Sequence, residues 1–484
     1  MSVYTLSFYL AQAVTWLTLA LLIVFAYFRV DDLLFDIAFW ITYLARWHKM
    51  RNYAPFTVAR LHERPQARIA IFVACWHESE VIDRMVDFAM NSIDYDRFDL
   101  LVGVYPNDEE TVRKARELER KFERVHAVIN DLPGPTTKAQ NLNCVFRAMK
   151  RIEGDDPFEI IVIQDTEDVI HPMSLRLYNH LLPERQMVQI PVFPLEREWN
   201  AWVAWTYADE FSKNHSKDML LRERLGAFVP SAGVGTAIAR SALETVAESS
   251  NDLFPEGALT EDYQFALRLH ERGLKTIFVS LRLSPQGRGS AATAAAYVAT
   301  REYFPDTFDA AVRQKSRWVA GIALQSWTEI GWRGDAATLY ALYRDRKSLV
   351  SNLVAFLGYI VLAAGAILAI VHAIDPRFFA PRLGNARWIW ILLEFVLAGT
   401  LIELLQTACF VAWVYGPLQG VLSLFRAPLA AIINGMATTK AIRTFVSAAV
   451  RRQPLRWAKT THAFPTEQAL ATFRAKATFE TESD

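Results

Sequence analysis

Three short polar islands, in fixed order along an apolar chain, hold the residue types that could do chemistry. They are Asp165-Thr166-Glu167-Asp168 at the end of an apolar run, Thr260-Glu261-Asp262, and Gln314-Lys315-Ser316-Arg317-Trp318 just before a long apolar stretch. If the first run is a strand, its period of two puts Asp165 and Glu167 on one face. Two hard carboxylates at a strand end suit a Mg2+ or Mn2+ ion that bridges a diphosphate and offsets charge as it leaves. The same acids also suit the dipole at the start of a following helix. In the second island Thr260 reads as an N-cap and Gly273 as the glycine just past the helix, so Glu261 and Asp262 fall in the first turn. The dipole there keeps a carboxylate ionised, as a base for a hydroxyl proton must be, though acids in first turns are also common structural features. In the third island helical spacing puts Gln314, Arg317 and Trp318 on one face. Trp offers a flat apolar surface to a sugar ring and Arg a bidentate fork to phosphate, while an interfacial Trp on a membrane-proximal helix is the plain structural reading.

Something must position these groups. Residues 68–75, 100–105, 125–129 and 159–163 are short β-branched apolar runs of the kind buried on both faces of a parallel sheet. Between them, residues 109–124 carry Val112, Ala115, Leu118 and Phe122 at helical spacing, with charge on the opposite face. Alternating strands and helices predict an α/β domain with an open, Rossmann-like, mostly parallel sheet, which binds ligands at the carboxyl ends of its strands.

The 484-residue chain is 52% apolar, more than one compact domain needs. Residues 5–28 lack charge and are long enough to cross a bilayer. They have neither the basic start nor the small-residue cleavage site of a signal peptide. Runs at 348–374 and 388–415 make about three transmembrane helices, and 31–47 and 421–450 read as amphipathic helices lying in the membrane surface. Glu394 and Glu403, inside the third run, are read as interfacial. The basic flanks predict an outside N-terminus with the middle domain and C-terminus in the cytosol, although Arg377, Arg382 and Arg387 in the outer loop run against that rule. The expected division is 1–50 membrane and interface helices, 51–345 the α/β domain, 346–450 further membrane helices, and 451–484 a cytosolic tail. Zero net charge excludes a general nucleic-acid binder. Three scattered cysteines exclude a disulfide framework.

The order of the three motifs resembles glycosyltransferase family 2, of GT-A fold, in its membrane-integrated branch with cellulose, chitin and hyaluronan synthases and ceramide glucosyltransferases. That resemblance implies Asp165 and Glu167 as the DxD-type metal and diphosphate motif, with Glu in place of the second Asp. It implies Asp262, beside Glu261, as the TED base, and Gln314, Arg317 and Trp318 as the QxxRW motif at acceptor and diphosphate. Weaker matches imply donor contacts from His77, Glu78, Asp108 and Lys138, and a small-residue loop at Gly233 and Gly235 under the sugar. His77 departs from the family's usual segment, and Asp108 is displaced by several residues. Residues 189–199, 229–236, 301–308 and 459–465 resemble the phage-adsorption branch of the family, of NfrB type. The expected protein is a bacterial inner-membrane, inverting transferase. It would move a hexose or N-acetylhexosamine from a UDP-sugar to a growing exported polysaccharide, served by Mg2+ or Mn2+ and an outer-membrane export partner. A lipid acceptor is the alternative. A non-catalytic receptor on the same fold would have damaged motifs, and here all three are intact.

Overall fold

The computed structural model describes residues 2–53, 56–182, 184–247, 253–283 and 296–453, with 455, 464–466, 469–470 and 473. Most of the segment 459–465 and of the tail 451–484 therefore lies outside the described residues. The chain opens with a 48-residue helix α1 (Val3–Met50) and a short α2 (Val58–His62). The α/β domain follows as β1 (Ile69–Ala74), α3 (Ile82–Ser92), β2 (Phe98–Val104), α4 (Glu109–Lys121), β3 (Val125–Ile129), α5 (Lys138–Ile152), β4 (Ile160–Gln164) and α6 (Ser174–Leu181). It continues with β5 (Met187–Gln189), α7 (Trp202–Lys213), α8 (Met219–Arg224), β6 (Thr236–Ala239), α9 (Arg240–Ala247), α10 (Glu261–Glu271) and β7 (Thr276–Phe278). Last come α11 (Phe308–Trp318), α12 (Ser326–Ile330), α13 (Ala336–Ile374), α14 (Arg387–Tyr415) and α15 (Pro417–Arg451).

Seven strands form one sheet in the order β3-β2-β1-β4-β6-β5-β7. The four runs read from sequence are its parallel half, with Ile69 paired to both Phe98 and Ile160. β1 and β4 are apolar and buried along almost their whole length, because helices cover both sheet faces. β6 enters antiparallel between β4 and β5, so the sheet is mixed beyond β4. One close approach fixes α5 over β2. A methyl group on Gly103 would overlap the side chains of Asn141 and Val145, and Asn141 donates to the Gly103 carbonyl at 3.1 Å. That contact seats the start of α5, and with it Lys138, over the strand ends.

Four helices are long and apolar enough to cross a membrane, α1, α13, α14 and α15, where the sequence pointed to about three. α15 was expected in the membrane surface because of its charges. Its Arg426 is instead fully buried against Asp209 of α7, with bidentate contacts of 2.8 and 2.6 Å. The break expected after residue 28 is absent too. No Gly or Pro occurs before Pro55, and Asp31, Asp32 and Asp36 all find cations, so α1 runs on as one rod. Asp31 takes Arg344 at 2.9 Å and Lys347 at 2.6 Å, Lys217 pairs with Asp36, and Arg222 grips Asp345 at 2.8 and 2.9 Å. These pairs tie α1 and α13 to each other and to the α/β domain.

Candidate active site

The crevice at the carboxyl ends of β1, β2 and β4 opens into a cavity of about 160 Å³. Each motif reaches it from a different element. β4 ends at Gln164, and the turn after it presents Asp165 and Glu167 to the cavity. They converge there as turn residues rather than through strand alternation. Lys138 enters at the start of α5, whose preceding Thr137 caps the helix by accepting from the Gln140 amide at 3.2 Å. Its ammonium lies 2.5 Å from Asp165 and donates to the Gly233 carbonyl at 3.0 Å. Burial pulls the Lys138 pKa down, but the carboxylates of Asp165, Glu261 and Asp262 outweigh it and hold it above the usual lysine range.

Glu261 and Asp262 occupy the first turn of α10, as the sequence predicted. Gly273, at φ +72°, follows the helix in the left-handed conformation expected of its C-terminal glycine. Thr260 sits at the N-cap position, but its hydroxyl makes no capping bond and is buried without a partner. The π-helical turn 319–325 after α11 brings Gly321 so close to Thr260 that a methyl there would overlap its side chain. Burial, then the neighbouring Asp262, pushes the Glu261 carboxyl up to about 7. Burial also raises Asp262, with Lys138 opposing the shift.

α11 supplies Gln314, Arg317 and Trp318 to one wall. Lys315, one residue on, turns away and binds Glu210 of α7 at 2.7 Å and Asn434 of α15 at 2.9 Å. The back of Trp318 packs on Tyr207, Phe211 and Phe304, with ring centroids 6.0, 6.1 and 6.4 Å away. The Gln314 side-chain oxygen is buried with no partner among the described residues, an acceptor left for a ligand.

Of the residues singled out from sequence, Glu78, Lys138, Asp165, Glu167, Glu261, Asp262, Gln314, Arg317 and Trp318 line this one cavity. His77, Asp108, Gly233 and Gly235 do not. Asp108 is buried, caps α4 through the Thr111 amide and accepts from the His77 backbone at 2.6 Å. It shapes the wall and offers no free edge to a base. Gly233, at φ +75°, lies directly behind the wall, where a methyl would come within 2.7 Å of an Asp262 carboxylate oxygen. Gly235, at φ +60°, faces Thr300 and Ile190, further back.

Glu302 lines the cavity and was not expected there. Val169 and Arg301 pair antiparallel, which sets Glu302 opposite Asp168. Burial, then Glu302, raises the Asp168 carboxyl well above its usual range. Tyr105 and Asn141 also line the cavity unannounced. The one signal for Glu302 was its place in the family-like segment 301–308; Tyr105 had none beyond the end of its strand.

A Rossmann-like sheet with acids at its strand ends, a first-turn acid pair and an Arg–Trp wall beside long apolar helices defines a membrane glycosyltransferase of GT-A architecture. The chain belongs to glycosyltransferase like family 2, whose family model matches residues 65–321. It is similar to bacteriophage adsorption protein B of Escherichia coli K12 and to bacteriophage N4 adsorption protein B of Escherichia coli O157:H7. Each is 36% identical over 449 residues, covering 90% of this chain and 60% of theirs. The chain thus spans about three-fifths of the length of these relatives. In fold it resembles a mannosyltransferase from Pyrobaculum calidifontis solved with GDP-Man and Mn2+, with TM-score 0.50 and 15% identity over 88% of this chain and 98% of that one.

Proposed function

We propose that this transferase moves a hexose or N-acetylhexosamine from a UDP-sugar to the hydroxyl of a growing saccharide bound for export, with inversion at the anomeric carbon. The observation that carries the proposal is the convergence of Asp262, Lys138, Asp165, Glu167, Gln314, Arg317 and Trp318 on one cavity. The α/β domain faces the cytosol of a bacterial inner membrane, where nucleotide sugars are made. The adsorption-protein names of the relatives fit a product that reaches the cell surface.

Asp262, as carboxylate, takes the acceptor proton while the acceptor oxygen attacks the anomeric carbon from the face opposite the diphosphate. The bond from that carbon to the diphosphate oxygen breaks, and UDP departs with the electron pair. Lys138 and Arg317 stand ready to hold its growing charge. Trp318 supports the acceptor ring, and the free oxygen of Gln314 takes one of its hydroxyl protons. Glu78 lies on the donor side of the same wall.

The acids also fit a divalent cation. Asp165, Glu167 and Glu302 line the cavity with Asp168 behind them, and one Asp168 oxygen is buried without a partner among the described residues. Lys138 and Arg317 alone do not balance them. Among the described residues, no three acid, His or Cys groups converge to hold an ion unaided. This suits Mg2+ or Mn2+, which take one or two carboxylates and complete their shell with substrate phosphate. Asp165 and Glu167 would hold the ion, which when bound neutralises the leaving diphosphate.

Asp262→Asn tests the reading. The variant should fold and bind UDP with Mn2+ like the parent, while transfer falls by at least about a thousandfold, in the range expected for losing a positioned base and its charge. Substantial residual turnover would refute the assignment of the base.

A further inference from the structure

A second cavity, of about 860 Å³, lies among α1, α13, α14 and α15, apart from the transfer site. Its walls are aliphatic and small, with Leu22, Gly365, Ala366, Leu404 and Ala430 typical of them. Among the described residues, Phe25 and Tyr359 are the aromatic side chains that reach it. Its floor is polar and comes from α7, through Asp209, Glu210 and Lys213. The same helix carries Tyr207 and Phe211, which back Trp318, and Glu210 binds the Lys315 ammonium beside Gln314. The floor of this cavity and the acceptor wall of the catalytic cavity are therefore two sides of one α7–α11 layer.

We infer that this cavity seats the hydrocarbon chain of a lipid acceptor whose head is uncharged and carries the hydroxyl to be glycosylated. This rests on the transferase reading above and adds to it the anchor on which the saccharide grows. Aliphatic walls between membrane helices give the hydroxyls of a sugar chain no hydrogen-bond partners, whereas a methylene chain needs none. The charges at the floor are compensated within the protein. Glu403 of α14 takes both Arg29 and Lys213, Asp209 takes Arg426, and Glu210 takes Lys315. A phosphate head would call for cations left free to grip it. Paired charges bordered by Asn352, Asn434 and Ser423 suit a head that exchanges neutral hydrogen bonds. In transfer, the hydroxyl reaches past Trp318, gives its proton to Asp262, and forms the new bond as the UDP–sugar bond breaks.

The test uses the full chain in nanodiscs of phosphatidylethanolamine and phosphatidylglycerol. These are doped with a diacylglycerol bearing a diazirine in one acyl chain, irradiated, and mapped by peptide mass spectrometry. Label should concentrate on the cavity-facing side of α13 and α15, and unlabelled diacylglycerol should displace it better than phosphatidic acid. Gly365→Leu and Ala430→Leu, which fill the cavity, should each cut that label about tenfold, as overpacking a filled site does. A first added carbon at Gly365 meets Val14 at 3.7 Å, an ordinary contact, so its helix can accept a side chain there. Label spread evenly over outward positions such as Ile360 and Leu397, unchanged in both variants, would overturn the inference. Preference for phosphatidic acid would overturn the uncharged head. UDP binding and the Asp262→Asn result, measured on the same preparations, report separately on the transferase reading.

Discussion

Gly233 and Gly235 make a matched pair for asking whether Asp262 must stand where it does. Both hold φ in the left-handed region, at +75° and +60°. Alanine at either should cost about 1–2 kcal/mol of stability for that conformation alone. The pair differs in what a methyl would strike. At Gly233 it comes within 2.7 Å of an Asp262 carboxylate oxygen and 3.5 Å of the Lys138 ammonium; at Gly235 it meets Thr300 and Ile190. Room for the methyl at 233 requires the Asp262 carboxylate to move by several tenths of an ångström to about an ångström. A displacement of that size at a reacting group costs about a hundredfold in rate. Gly233→Ala should therefore lose about two orders of magnitude in kcat per folded molecule, and Gly235→Ala at most a few-fold, with similar falls in Tm. UDP release with UDP-sugar and membrane extract gives the rate, and UDP binding by calorimetry gives the folded fraction. If the two variants lose activity equally per folded molecule, or if Gly233→Ala keeps its rate, the close placement of Asp262 is not what catalysis depends on.

Gly103→Ala drives a methyl into Asn141 and Val145. It should cost about 1–3 kcal/mol in denaturant unfolding and, by tilting the start of α5 that carries Lys138, raise the KM for donor. Arg426→Leu strands Asp209, a carboxyl that burial already lifts to about 6 despite Arg426. Unfolding should show a loss of about 3–5 kcal/mol, much of it recovered when Asp209→Leu is added; no recovery would mean that packing, not the unpaired charge, set the cost. His215 is buried with its Nδ1 against the Val192 backbone, and burial lowers its pKa to about 4 from an ordinary value of 6.5. The unfolded chain takes up this proton first, so the native state should lose stability as pH falls from about 6.5 to 4, by at most about 3 kcal/mol. Tm measured across that window should fall less steeply for His215→Gln than for the parent.

What could be read from the sequence followed from how local the signal was. β1 to β4 are continuous apolar runs because helices bury both faces of a parallel sheet, and that environment writes itself into four or five consecutive residues. The three motifs were legible because each lies at the end of one such element, and they line one cavity because the strand ends and α10 and α11 meet there. β6 was not legible. Thr236–Ala239 is four residues long, and its antiparallel place between β4 and β5 is set by its partners rather than by its own pattern. Asp108 and Glu302 exchanged their expected prominence for the same reason. An acid in a turn reads alike whether it caps a helix, as Asp108 does, or faces a ligand, as the Val169–Arg301 pairing makes Glu302 do. The membrane helices misled through charge. Arg426 and the acids of α1 counted against burial when taken singly, since an unpaired ion in an apolar helix is costly. Their partners lie on α7, α8 and α13 or in the turn between α7 and α8, far away in sequence, and each pair removes the cost that the one-residue reading had charged to the helix. Glu403 was judged in the same way and is likewise met, by Arg29 and Lys213. The charges that made the spans hard to recognise are thus the contacts that join the bundle to α7, the helix behind Trp318, so the acceptor wall is held in place from the membrane side.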